Sequence, residues 1–98
     1  MAFEIILKKR FTNKVDKTLS YLETEWSHIT AVAFLQKLDR RIEQLKSQPH
    51  IGAPSLKIKN VRGILITRHN RMYYKIHENK VIILNMYDTR MNPSKNPY

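Results

Sequence analysis

Apolar positions recur along the chain with two different periods, and the change of period divides it. Near the start, Phe3, Ile5 and Leu7 alternate with Ala2, Glu4, Ile6 and Lys8. That period of two, with one apolar exception, predicts a strand over residues 2–8. From Phe11 the spacing lengthens. Phe11, Val15, Leu19, Leu22 and Trp26 form the single stripe of an amphipathic helix over residues 10–26, with Lys14, Asp16, Lys17, Glu23 and Glu25 off it. Tyr21 lies beside the stripe and is expected to be half-buried. Trp26, at its end, is expected to plug the packing rather than to hold a ligand. Either Ser27 or Thr30 can cap the next helix, because each offers a side-chain oxygen to the free N–H groups of a first turn. A second stripe, Ala31, Phe34, Leu35, Leu38, Ile42 and Leu45, predicts a helix to about Gln48, where Pro49 stops it. A link this short makes the two helices an antiparallel hairpin.

Pro49, Gly52 and Pro54 break a connector that runs to Lys59. Period-two runs then return at 61–67, 71–77 and 81–87. They are separated by Arg68-His69-Asn70 and Glu78-Asn79-Lys80, and both links contain Asn, which tolerates the left-handed backbone of tight turns. Short links make these strands an antiparallel meander. The expected order is β-α-α-β-β-β: an α+β domain with an antiparallel sheet packed on a helical hairpin. No boundary, repeat or low-complexity segment divides it, so residues 1–98 read as a single domain. One face of the sheet stays open after the hairpin covers the other.

Composition narrows the class. The apolar fraction of 42% with only 2 Gly and 4 Pro describes a packed globular chain. No apolar run is long enough to cross a bilayer, and the N-terminus lacks the order of a signal peptide. With no cysteine there is no disulfide frame and no cysteine-based zinc site. A cytoplasmic protein without a cofactor is the expectation. The net charge is +10, and it is uneven. Residues 1–49 carry nine Lys and Arg against six Asp and Glu, whereas residues 50–98 carry nine against two. The strand-bearing half is the basic half. It suits a polyanion or an acidic protein partner, unless the charge serves only solubility.

Alternation assigns the faces of the strands. In the middle strand Met72, Tyr74 and Ile76 should meet the helices, leaving Arg71, Tyr73, Lys75 and His77 outside. In the first strand Arg62 lies opposite Val61, Gly63 and Leu65. In the third, Asn85 and Tyr87 alternate with Leu84 and Met86. Arg62, Arg71, Tyr73, Lys75 and Tyr87 are therefore expected to line one open surface, with Arg90 just past it. Arg offers a planar fork to phosphate and Tyr a stacking surface. The plainer alternative is a solvated face with ordinary cross-strand pairs. Phosphate loops, dinucleotide loops and nucleophile elbows are absent. His28, His50, His69 and His77 are scattered, which argues against a metal site. Any chemistry would fall to Arg, Lys, Tyr or His.

In the order and spacing of several short runs the chain resembles the RelE/ParE superfamily of toxins from bacterial type II toxin–antitoxin pairs. The runs are Tyr21 with Trp26, the Phe34–Leu45 stripe, Pro49-His50-Ile51-Gly52-Ala53-Pro54, Val61-Arg62-Gly63, Arg71-Met72-Tyr73-Tyr74-Lys75-Ile76, and Asp88-Thr89-Arg90-Met91-Asn92-Pro93. The resemblance implies a toxin neutralised by a cognate antitoxin with an acidic, partly disordered segment, the two forming a hetero-oligomer. The long hairpin looks like ParE, whose members inhibit DNA gyrase and are associated with plasmid stabilisation. RelE-like members instead cleave mRNA on the ribosome with Lys, Arg and Tyr side chains of the open sheet face. On that pattern Arg71 and Arg90 match the catalytic arginines. Arg62 stands where a lysine is expected, Ile64 where a second lysine is expected, and Tyr98 lies near the terminal tyrosine. The ParE-like reading is the first expectation and ribosome-dependent mRNA cleavage the second. A non-toxic binding module of the same fold is the third.

Overall fold

Between Lys8 and Gln48 the chain has neither proline nor glycine, so nothing in it opposes a helix except the Ser27 break. The computed structural model describes residues 2–98. In it, helix α1 spans Lys9–Glu25 and helix α2 spans His28–Ser47. Ser27 takes the capping role: its Oγ accepts from the Thr30 N–H at 3.1 Å. Thr30 sits inside the first turn, its hydroxyl 2.9 Å from that of Ser27.

The strands are β1 (Glu4–Leu7), β2 (Ala53–Pro54), β3 (Val61–Thr67), β4 (Asn70–His77) and β5 (Lys80–Asp88). They form one sheet in the order β1-β5-β4-β3-β2. The meander β3-β4-β5 is antiparallel, as its short links require. Two features extend the expected plan. Strand β1 joins parallel to β5, from Glu4 opposite Lys80 to Leu7 opposite Ile83, so the sheet is mixed. The connector contributes β2, which pairs antiparallel with Arg62 and Gly63. Two residues, one of them proline, are too few to show a period. In the β4–β5 turn the left-handed conformation falls on Glu78 (φ 55°), while Asn60 takes it ahead of β3 (φ 68°).

The hairpin covers one face. Phe11, Val15, Phe34, Leu38 and Leu45 pack against Ile66, Met72, Tyr74, Val81, Ile83 and Met86. Burial then falls along α1. Phe11 is 1% exposed, Leu19 and Leu22 are partly covered, and Trp26 is 69% exposed. Leu19 and Leu22 still pack against the core, so the bare part of the hairpin is its tip. Trp26 is therefore not a packing plug, and Tyr21 is exposed rather than half-buried. Ile29, at 80% exposure, and Val32 extend the apolar surface of this tip.

The connector is fixed to the sheet by one tyrosine. Tyr74 Oη donates to the Pro49 carbonyl at 2.7 Å and accepts from the Gly52 N–H at 2.9 Å. Gly52 is required there, since a Cβ would lie 2.6 Å from that hydroxyl.

Candidate functional site on the open sheet face

The register decides which residues share the uncovered face, because partners directly opposite each other project to the same side. Arg71 pairs with Tyr87 and Leu65, and Tyr73 pairs with Asn85 and Gly63. Between Tyr73 and Tyr74 the β4–β5 register shifts, leaving Leu84 without a partner on β4. This bulge re-aims the end of β5. Asn85, buried beside it, is satisfied locally: its Oδ1 accepts from the Met86 N–H at 2.8 Å and its Nδ2 donates to Tyr87 Oη at 3.3 Å. Gly63 opens space over the sheet, because a Cβ there would sit 3.0 Å from Tyr73 Cε1 and 3.1 Å from Arg71 Cδ.

The last residues fold back over this face. Asn92 Oδ1 accepts from the Ser94 N–H at 3.0 Å and starts a short 3-10 turn, Pro93–Lys95. Asn96 Oδ1 accepts from the Tyr98 N–H at 2.9 Å, and its Nδ2 donates to Tyr73 Oη at 3.0 Å. The Tyr98 ring then stacks on Tyr73, with centroids 5.1 Å apart and planes 19° apart. Tyr87 completes a trio, edge-on to Tyr73 at 6.3 Å and tilted to Tyr98 at 6.0 Å. Lys14 of α1 brings its Nζ 5.0 Å from the Tyr87 ring centre, a cation–π contact from outside the sheet. Burial, followed by the neighbouring Tyr98, holds the Tyr87 hydroxyl above its ordinary 10.0, so it stays protonated at neutral pH.

Gly63, Arg71, Tyr73, Tyr87, Asn96 and Tyr98 border a cavity of about 560 Å³. Inside it, Arg71 Nε is buried without a hydrogen-bond partner. An unmatched guanidinium donor beside aromatic rings suits an anionic oxygen carried by a planar or flexible group. Among the described residues no three His, Asp or Glu side chains gather as metal ligands would.

Of the candidate residues, Arg71, Tyr73, Tyr87 and Tyr98 come together. Arg62, Lys75 and Arg90 do not. Arg62 pairs with Tyr74 and so belongs to the helix side of the sheet. It donates to the Gly52 carbonyl at 2.7 Å and the His50 carbonyl at 3.1 Å, pinning the connector. Ile64 pairs with Met72 and packs on the core, so it cannot stand for a lysine of the open face. Lys75 keeps the expected face but stands in solvent, away from the cavity lining. Arg90 does not line the cavity either. It grips Asp88 in a fork, Nε to Oδ1 at 3.0 Å and NH2 to Oδ2 at 2.7 Å.

That fork, helped by the Arg90 N–H at 2.8 Å from Oδ1, lowers the Asp88 carboxyl to about 2 from its ordinary 3.8. A depressed carboxylate contributes stability above its ordinary value and loses it as pH falls through the depressed one. The contribution of this exposed, solvent-screened pair is present above pH 3.8 and lost as pH falls toward 2. An NMR titration of the Asp88 carboxyl carbon should show a midpoint of about 2, returning toward 3.8 in Arg90→Gln.

Lys14 and Asn96 were not singled out by the sequence. Lys14 carries no local signal, being one more cation on the outer face of a helix. Asn96 could have been found, because Asn92-Pro93 and Asn96-Pro97 are turn-forming pairs that mark an ordered segment.

A two-helix hairpin on this mixed sheet is the fold of RelE/ParE superfamily toxins. Residues 5–93 match the family model of the ParE toxin of type II toxin–antitoxin systems, parDE, and the chain belongs to that family. Among solved structures it is similar to a chain of the chromosomal ParDE system from P. aeruginosa, at 12% identity and a TM-score of 0.75, covering 89% of this chain and 96% of that one. A copper-bound mutant toxin from Helicobacter pylori shares 17% identity with a TM-score of 0.59 over 89% and 94% of the two chains. The YoeB dimer from Staphylococcus aureus shares 14% with a TM-score of 0.58 over 89% and 97%. No curated protein matches the sequence. No helix among the described residues is long and apolar enough to cross a membrane.

Proposed function

We propose that this type II toxin stops growth by binding and inhibiting DNA gyrase in the cytoplasm, and that a cognate antitoxin neutralises it in a hetero-oligomeric complex. Membership of the ParE family supports the target. The observation that carries the choice of binding over RNA cleavage is the makeup of the open face. Its β3 members are Val61, Gly63 and Leu65, none of them a cation, and Arg90 is spent on Asp88. Arg71 alone offers a free guanidinium donor in the cavity. Lys57, the other cation of the cavity lining, is engaged with the main-chain oxygens of Pro93 and Asn96, so one unpartnered guanidinium remains, which serves binding and falls short of a set for phosphoryl chemistry. In a purified supercoiling assay, toxin at a stoichiometric ratio is expected to abolish gyrase activity; an unaffected enzyme would overturn the proposal.

The excess of nine cations over two acids in residues 50–98 supports an acidic antitoxin segment. Co-purification with the product of the adjacent gene should yield a complex that survives gel filtration at moderate salt. The ParDE neighbour from P. aeruginosa agrees with such a partner.

Ribosome-dependent mRNA cleavage is the competing reading, favoured by the unpartnered Arg71 Nε beside stacked tyrosines. It requires Arg71→Ala to lower cleavage by on the order of 10²–10³. Full cleavage by that variant excludes Arg71 as the catalytic group, and healthy growth under strong expression alone would favour a binding module over either toxin activity.

A further inference from the structure

We propose that residues 92–98 form a latched lid, which must open before the Arg71–Tyr73 face can meet any partner. The inference is independent of which target the toxin has. Tyr73 lies on the face that no helix covers, yet it is only 8% exposed. The cover is the lid itself: the Tyr98 ring lies over the Tyr73 ring, and the Asn96 amide reaches its hydroxyl.

The latch comes from the connector. Lys57 Nζ donates to the main-chain oxygens of Pro93 and Asn96, and Ser55 Oγ donates to that of Tyr98. Ser55 is itself fixed, since its Oγ accepts from the N–H groups of Lys57 and Ile58, each at 3.1 Å. One lysine and one serine thus hold a segment more than thirty residues away in sequence.

The lid is built to leave. Pro93, Ser94, Lys95 and Pro97 are exposed, and none of its residues is fully buried. Opening it breaks no strand or α-helix and confines the exposed apolar area to the Tyr98–Tyr73 stack, which makes it a local opening of the fold. It is also an incomplete occupant. It stacks on the aromatic half of the site and leaves Arg71 Nε without a partner. A partner carrying an anionic oxygen next to a flat group would satisfy both halves and displace it.

Tyr73 and Tyr74 provide the test, because adjacent residues face opposite sides of the sheet. Tetranitromethane nitration of the full chain is followed tyrosine by tyrosine with tandem mass spectrometry. In the wild type, exposed Tyr21 should react fast, Tyr74 should not react, and Tyr73 should react slowly. Lys57→Ala removes the charged latch and should raise the Tyr73 rate about tenfold, with Tyr74 still protected and Lys57→Arg close to wild type. Amide exchange across residues 94–98 should accelerate by a similar factor in Lys57→Ala alone. If Tyr73 in the wild type reacts as fast as Tyr21, there is no closed lid. If Lys57→Ala changes neither the Tyr73 rate nor the exchange, the latch is wrong. Ser55→Ala is read in the same way and guards against a local defect in the lysine variant.

Discussion

Tyr74→Ala is expected to remove about 4–8 kcal/mol of stability, enough to unfold much of a domain whose total is of the order of 5–15 kcal/mol. Tyr74 is the largest fully buried side chain among the described residues. Truncating a buried aromatic ring costs about 3–5 kcal/mol in lost contacts and cavity. The change also strands the Gly52 N–H, which is buried, and the Pro49 carbonyl, adding about 1–3 kcal/mol. Urea unfolding followed by circular dichroism measures the total. Tyr74→Phe keeps the ring and should lose only the hydrogen-bonding share. Burial, the largest effect on this hydroxyl, holds its pKa above the ordinary 10.0. The unfolded chain therefore ionises first as pH rises. The contribution is full below pH 10 and is lost above it, and Tyr74→Phe should flatten that part of the alkaline limb.

The second large effect is at Leu38, which projects from α2 into the centre of the core. Leu38→Ala should destabilise by about 2–5 kcal/mol, the range set by how far the neighbours can collapse into the space. Trp26→Ala is the contrast. Although it deletes a larger side chain, it should change stability by less than about 0.5 kcal/mol, because the indole stands in water. Chemical denaturation of both variants beside the wild type reads the difference directly. A Trp26→Ala variant that unfolds like Leu38→Ala would mean the hairpin tip is packed.

Much of this architecture was legible from periodicity. Both helices, their hairpin and the three-strand meander follow from where Phe11, Val15, Leu38, Leu45, Met72 and Tyr74 recur, and their bounds fall within a residue or two of those expected. The period says which residues share a side, but it does not show how far a partner element extends. Trp26 lies on the stripe that starts at Phe11, yet at the hairpin tip it is left bare. Arg62 is a different kind of error. It shares its parity with Ile64 and Ile66, and two isoleucines should have outweighed one arginine in choosing the core side. The pairing of β1 with β5 and the fold-back of Tyr98 onto Tyr73 join residues far apart in the chain, so no local pattern carries them. The candidate site was therefore read in part. Arg71, Tyr73 and Tyr87 followed from alternation, while the lid and Lys14 came only with the fold.

The parallel pairing of β1 with β5 also sets an order of events during synthesis. Glu4 waits for Lys80, and Phe11 and Val15 find their core partners on Val81, Ile83 and Met86. Contacts of such sequence separation form late. A nascent chain that has emerged only through β4 has a hairpin with half a floor. The fold therefore closes only once β5 is available to both β1 and the helical hairpin, so the first and last strands of the chain are completed together.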